Sequence, residues 1–268
     1  MVKLNDLDAK TWVKLTKSWF LLSGKTRNKM EVKHPAKYPE ELAEKFILFF
    51  SKSGDTVFDP FMGVGSTGVA AIRNNRKCIG IEINNEFCNI ARKRIENEKS
   101  LFGEMNNSII TEGDSRDKHN YPKSVDFIIT SPPYWDMLKK QRGHSLSQHK
   151  IRKEKDLPLY YSDNLLDLGN IEDYDQFMKE LSKVFKNCSK ILAPNKYMVI
   201  VVQNFRNTDG NYITFAWDIA EKVKKYKFSF EGEQIWCQDD KQLGIWGYPS
   251  KFITNIHHHY CLVFRKNA

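Results

Sequence analysis

Ser131-Pro132-Pro133-Tyr134-Trp135 is the run whose residue types come closest to dictating a reaction. It follows Val125-Asp126-Phe127-Ile128-Ile129-Thr130, an apolar stretch that reads as a short buried strand. Neither proline has an N–H for a ladder bond, so the strand must stop there. What remains is a stiff loop with outward carbonyl acceptors, a hydroxyl before it and a large aromatic ring after it. Acceptors beside a stacking ring suit a planar heterocycle that carries an NH₂ group.

A second cluster lies upstream. Asp59-Pro60-Phe61-Met62-Gly63-Val64-Gly65-Ser66-Thr67-Gly68 contains a G-x-G-x-x-G run at Gly63, Gly65 and Gly68. Such glycines let a backbone turn sharply from strand to helix and lie close to a ligand. Alone the run serves nicotinamide and flavin cofactors as well as adenosyl ones. Glu82 ends the next strand about 20 residues on, where an acid can grip ribose hydroxyls. Asp59 precedes the glycines, where a carboxylate suits an ammonium group but not a pyrophosphate. The amino-acid tail of S-adenosyl-L-methionine carries such an ammonium. Asp114 ends a third strand, where a carboxylate can accept from an adenine amino group.

The elements that must position these groups alternate. Strands are expected at Thr56 to Asp59, Lys77 to Glu82, Ser108 to Glu112, Val125 to Thr130 and Tyr197 to Gln203. Helices are expected at Glu40 to Phe50, Gly65 to Asn74, Asn85 to Glu98, Ile171 to Cys188 and Ala216 to Tyr226. Phe228 to Trp236 and Ile256 to Phe264 read as a closing pair of strands. The fold class is therefore α/β: a Rossmann-like, mostly parallel sheet with helices on both faces and an antiparallel strand pair near the C-terminus. Ligands of such sheets bind at the carboxyl ends of the strands, where Asp59, Glu82, Asp114 and Ser131 all fall.

Composition narrows the class. The chain has 268 residues, 41% hydrophobic and 28% charged, with a net charge of +9. That is enough for one sizeable core. No apolar run approaches the ~20 residues of a membrane helix, and the first residues lack a signal-peptide core. A cytoplasmic protein with no membrane partner is expected. The five cysteines have no CxxC spacing, so reduced and mostly buried thiols are expected. His257-His258-His259 reads as part of a strand that alternates its faces, and no metal site is expected. Lys139, Lys140, Arg142, Lys150, Arg152, Lys153 and Lys155 follow directly on the Pro-Pro loop. That placement favours a polyanionic partner.

In combination these segments resemble the S-adenosylmethionine-dependent DNA methyltransferases that modify exocyclic amines, cytosine at N4 or adenine at N6. His34-Pro35 with Pro39 is similar to that family's first cofactor motif, and Asp59 to Thr67 to its glycine motif. Gly80-Ile81-Glu82 resembles its ribose-binding acid, Gly113-Asp114 its adenine contact, and Ser131 to Tyr134 its catalytic motif. The resemblance is dense over residues 33 to 136 and loose elsewhere. It implies cofactor contacts at His34, Pro35, Asp59, Pro60, Phe61, Gly63, Gly65, Ser66, Thr67, Glu82, Ile83, Asp114 and Ser115. It implies catalysis at Ser131, Pro132, Pro133 and Tyr134. Double-stranded DNA is the expected partner, with a cognate restriction endonuclease in a restriction-modification system. A single methyltransferase domain is expected over residues 1–268. The basic insert at 136–170 is its target-recognition element, with Trp135, Lys139, Lys140, Arg142, Lys150, Arg152 and Lys153 on the DNA.

The expected chemistry follows. A paired base has to be flipped out of the stack. Tyr134 stacks on it, while Ser131 and a proline carbonyl accept from its NH₂ group. The nitrogen lone pair then attacks the methyl group. Ser before Pro-Pro leans within the family towards cytosine N4, with adenine N6 as the alternative. An RNA base-amine methyltransferase, an inactive nucleic-acid-binding module and a nicotinamide oxidoreductase fit fewer of the residues.

Overall fold

The computed structural model describes residues 3–22, 38–102, 108–135, 166–207 and 209–268. In chain order its main elements are α1 (Ala9–Leu15), β1 (Trp19–Leu21), α2 (Glu40–Phe50), β2 (Thr56–Asp59), α3 (Ser66–Arg73), β3 (Lys77–Glu82), α4 (Asn85–Phe102), β4 (Ile109–Glu112) and β5 (Val125–Thr130). They continue with α5 (Tyr174–Ile191), β6 (Leu192–Val202), β7 (Phe205–Arg206), β8 (Tyr212–Ile213), α6 (Phe215–Lys224), β9 (Phe228–Cys237) and β10 (His258–Lys266).

Eight strands form one sheet in the order β4-β3-β2-β5-β6-β10-β9-β1. From β4 to β6 every neighbour is parallel. β10 runs antiparallel to both β6 and β9. The expected mixed architecture with a C-terminal antiparallel pair is the one observed. β1 pairs in parallel with β9 at the sheet's edge, an element that three residues of sequence did not announce.

The central strands alternate their side chains between two cores. Phe58, Ile128, Met198, Ile200 and Leu262 face α5 and α6. Val57, Phe127, Ile129, Val199, Val201 and Cys261 face α2, α3 and α4. A strand buried on both faces reads as a continuous apolar run, which is why β5 and β6 were visible in the sequence. Four cysteines are buried and Cys237 is partly so, all of them as free thiols. His259 stacks on Trp236 at 4.7 Å, in keeping with a strand histidine. Among the described residues no cluster of His, Cys, Asp or Glu is arranged to hold a metal, and no helix is long and apolar enough to cross a membrane.

The strand order reverses between β2 and β5. β3 and β4 lie to one side, β5 and β6 to the other. A crevice opens at such a switch point outside the carboxyl ends of the strands.

Candidate active site

A pocket open to solvent occupies that crevice. Its wall includes Asp59, Pro60, Phe61, Gly63, Ser66, Glu82, Ile83, Asp114, Ser115, Ser131, Pro132 and Pro133. Residues expected to act together from four separate strand ends thus share one space. Gly65 and Thr67 belong to the same loop and helix start. His34, Pro35, Lys139, Lys140, Arg142, Lys150, Arg152 and Lys153 lie outside the described residues, as does most of the 136–170 insert.

The glycine loop is held from beneath. Gly65 precedes α3 at φ +88°, in the left-handed region that glycine enters without strain, and a Cβ there would lie 3.0 Å from Ala91 of α4. Gly68 serves helix packing instead, because a Cβ would meet the Ile95 side chain at 2.4 Å. Arg94 of α4 donates to the Val64 carbonyl at 2.6 Å and to Glu40 at 2.5 Å, tying the loop to two helices.

Asp59 is buried at the centre of the site. Its Oδ1 accepts from the Phe61 N–H at 2.9 Å and the Thr130 hydroxyl at 2.7 Å. Its Oδ2 accepts from the Thr67 hydroxyl at 2.5 Å and lies 3.0 Å from the Tyr38 hydroxyl. A carboxylate offers about four lone-pair sites, and here four donors surround it. Burial pushes its pKa up, and the hydrogen bonds oppose that shift. Asp59 thereby ties the glycine loop to Thr130, the residue just before Ser131. Tyr38 was not anticipated, because nothing in its local sequence marks it.

Glu82 has capacity left. Its Oε2 accepts from the Gly63 N–H at 2.7 Å and its Oε1 from the Asn84 N–H at 2.9 Å. Each oxygen keeps a second lone pair, which suits two vicinal ribose hydroxyls. Burial raises its pKa to about 7, and the two amide donors pull the other way.

Asp114 is engaged differently from expectation. Arg116 grips it with Nε at 3.0 and 2.9 Å and with a terminal nitrogen at 2.7 Å. The same arginine reaches Glu180 at 3.1 Å and the Leu166 carbonyl at 2.6 Å. Asp167, beside that carbonyl, is buried and lines the cavity. Its Oδ1 accepts from the Gly169 N–H at 2.9 Å. Among the described residues its Oδ2 has no partner. Burial raises its pKa. Sequence gave no signal for Asp167, which lies 53 positions from Asp114 and reaches the cavity only through the fold.

Tyr134 is only 5% exposed. Its ring packs against Phe205 and Phe215 at centroid distances of 6.2 and 5.7 Å and is not on the cavity wall. A stacking role on a base would require the ring to leave that cluster. Trp135 donates from its indole to the Glu172 carbonyl at 3.0 Å and sits edge-on to Tyr174 at 5.0 Å.

The family model described as DNA methylase matches residues 4–93 and 125–268, most of the chain, including the strand ends at Asp59, Glu82 and Ser131 but not Asp114. The chain belongs to that family of N6 and N4 amino-methyltransferases. Among curated relatives, the orphan methyltransferase M.BamHII of Bacillus amyloliquefaciens is 54% identical over 80 residues, 30% of either chain. The DNA adenine methyltransferase YhdJ of Escherichia coli K12 is 46% identical over 63 residues, 24% of this chain and 21% of that one. These matched stretches span less than a third of each relative. TrmN of Thermus thermophilus, a solved structure, is similar over 85% of this chain and 48% of its own, at 13% identity and TM-score 0.49.

The cofactor of this methylase is S-adenosylmethionine, and the cavity's donor set fits it. Glu82 has two acceptor sites for the ribose, and Asp167 has one for a donor on the base. If Glu82 holds the ribose, both hydroxyls would donate to ionised carboxylate oxygens, so binding there would require the carboxylate. Cofactor affinity is therefore expected to fall as pH drops below about 7, by up to roughly tenfold per unit, with Glu82 as the source of the slope. The sign for stability is opposite. The folded state holds this proton more tightly than the unfolded one, so ionising Glu82 costs stability as pH rises from the ordinary carboxylate range through about 7. Calorimetric titration at about pH 6, 7 and 8, on either side of the Glu82 pKa of about 7, checks the first claim, and Glu82→Gln should flatten the profile.

Proposed function

We propose that this methylase transfers a methyl group from S-adenosylmethionine to the exocyclic amine of a flipped-out cytosine, at N4, in double-stranded DNA. The observation that carries the reading is the shared cavity: Ser131, Pro132 and Pro133 stand on the same wall as Glu82 and the glycine loop. A methyl acceptor at Ser131 and a donor cofactor on Glu82 would meet there.

When bound, the cofactor supplies an electrophilic methyl group on a sulfonium. The chain's own residues do the rest. The Ser131 hydroxyl and a Pro132 or Pro133 carbonyl accept from the NH₂ group of the base. That draws the nitrogen lone pair out of conjugation with the ring and aims it at the methyl. Positioning of this kind supplies most of the acceleration, and acceptors facing the positive charge that develops on nitrogen supply more. The nitrogen proton becomes acidic once the bond has formed, so no strong base is required. The proline pair keeps its carbonyls fixed, and Thr130, bonded to Asp59 at 2.7 Å, fixes the strand end behind them.

Asp167 takes the adenine amine of the cofactor in this reading. Its Oδ2 is the acceptor left over after Arg116 has claimed Asp114. Asp167→Ala should weaken cofactor binding by about tenfold or more, the size of one hydrogen bond to a charged group. Asp167→Asn, which keeps an acceptor, should be milder. A cofactor analogue with oxygen in place of the 6-amino group should lose affinity for the wild type but little further in Asp167→Ala. Additive losses would detach Asp167 from the amine.

The hydroxyl before Pro-Pro supports cytosine. Adenine N6 is the second reading, favoured by the likeness to an adenine methyltransferase. Several relatives are named Type II methyltransferases, which supports a place in a restriction-modification system beside a cognate endonuclease. The fold's single large sheet supports one domain over residues 1–268. The basic residues of the 136–170 segment support its role in target recognition. Mapping modified bases in DNA from an expressing host, by sequencing and nucleoside mass spectrometry, tests base and sequence together.

A further inference from the structure

β9 and β10 do not stop at the level of the site. Thr130 at the end of β5 is in register with Ile200 of β6, Ile200 with Leu262 of β10, and Leu262 with Glu233 of β9. Beyond that level the β9–β10 ladder continues to its last pair, Cys237 with His258. That is four further residues on each strand, about 13 Å of extra height. The loop at 238–257 is thus carried above the edge where Ser131 lies. Its root stands two to three strand widths to the side, roughly 10–14 Å. This is within one turn, about 34 Å, of a duplex laid across that edge.

The loop is built, and it exposes large apolar side chains among its polar ones. Asn255 donates to the Gly244 carbonyl at 2.9 Å and accepts from the Gly244 N–H at 2.9 Å and the Trp246 indole at 3.0 Å. Ser250 and Lys251 donate back to the Gly247 carbonyl at 2.9 and 2.7 Å. Yet Leu243, Ile245, Tyr248 and Phe252 are 77%, 88%, 83% and 87% exposed. A loop fixed by its own hydrogen bonds that still presents four large apolar side chains is shaped to be covered by something. Its charges, Asp239, Asp240, Lys241 and Lys251, cancel. The loop therefore brings no net positive charge to a polyanion.

We propose that the 238–257 loop is a wedge for double-stranded DNA. Its exposed Ile245, Tyr248 and Phe252 enter the duplex beside the target and occupy the space that the extruded base vacates. The inference rests on the reading above that the substrate is a flipped base. Apolar side chains inserted between base steps unstack them and distort the duplex, and extruding a paired base needs that help most. The net charge of +9 holds the polyanion, and the neutral apolar loop acts on its stack. Ile245 and Phe252 offer a groove neither donor nor acceptor, and only Tyr248 has a hydroxyl.

The test compares wild type with the variant Ile245→Ser/Tyr248→Ser/Phe252→Ser on two duplexes that carry the sequence methylated in host DNA. In one the target base is paired. In the other it faces an abasic site. Because all three residues are exposed, the fold and S-adenosylmethionine affinity should be unchanged, and calorimetry checks both. The proposal expects kcat/KM on the paired duplex to fall at least about tenfold and to recover largely on the abasic duplex, where extrusion needs no wedge. A fluorescent base analogue at the target should show less unstacking on binding by the variant. An equal loss on both duplexes makes the loop a plain contact and overturns the wedge. Unchanged activity overturns it too. So does a wild-type dimer that the variant dissolves without change on either duplex, since a second copy then covers the patch. If wild type methylates no DNA at all, the underlying reading fails first, and that result is distinct from any difference between the two proteins.

Discussion

Asp59→Ala should cost this protein on the order of 3 kcal/mol of stability. Three hydroxyls and one amide lose their common acceptor in a closed interior, at ~1–3 kcal/mol for each group left unpaired, and the hydroxyls of Tyr38 and Thr67 can partly satisfy each other. The melting temperature should drop by roughly 5–10 °C for a chain of this size. S-Adenosylmethionine affinity should fall along with it, because the loop loses its tie to Thr130. Thermal unfolding with and without cofactor measures both. A variant that melts like wild type would show that the four donors find other partners and that Asp59 is not the brace of the site. Asp59→Asn is the informative companion. It keeps the volume and one acceptor oxygen but turns an NH₂ group towards donors, so it should lie between wild type and Ala.

The second large effect is on turnover. Ser131→Ala removes one acceptor aimed at the reacting amine and touches nothing that holds the cofactor loop. The rate of methyl transfer should fall by about 10²–10³, the usual consequence of deleting one preorganised transition-state contact. Cofactor affinity should stay within a factor of about two, since the cost is confined to the transition state. Single-turnover methylation under saturating DNA separates the chemical step from release. A Ser131→Ala protein that transfers methyl groups at the wild-type rate would remove the hydroxyl from the mechanism and leave the proline carbonyls as the acceptors. Tyr134 should behave differently from Ser131. Its ring is wedged between Phe205 and Phe215, so Tyr134→Ala should destabilise the fold as well as slow the reaction, whereas Tyr134→Phe keeps the packing.

Much of this was legible in the sequence, for identifiable reasons. β2, β3 and β5 have the bounds read from their residues because a strand buried on both faces is a short, unbroken apolar run, and the polar strand ends Asp59 and Glu82 punctuate it. The proline pair marks the end of β5 without any tertiary information. Helix starts were less exact. α5 begins at Tyr174, three residues beyond Ile171, because Asp173 caps it by accepting from the Gln176 N–H at 2.7 Å. β1 was not visible because three residues carry no period, and its partner β9 is more than two hundred positions away.

The site was legible by residue type but not by role. Asp59, Glu82, Asp114 and Ser131 were placed together correctly on one edge, since topology alone puts strand ends there. What each carboxylate is free to do depends on its donors, and those come from distant positions. Tyr38, Thr67 and Thr130 occupy Asp59, and Arg116 occupies Asp114. No local pattern announces such pairings. The same holds for Asp167, whose open oxygen is a property of the cavity, and for the burial of Tyr134, which depends on phenylalanines some seventy to eighty positions away.

The most direct test of the whole account is where the methyl group goes. Purified protein is incubated with duplex DNA and S-adenosylmethionine labelled in the methyl group, and the DNA is digested to nucleosides and resolved by mass spectrometry. The account predicts label on an exocyclic nitrogen, as N4-methylcytosine, and its loss in Ser131→Ala. Label on adenine N6 would keep the reaction and overturn the choice of base. No label in DNA, or label on a ring carbon, would contradict the account at its centre.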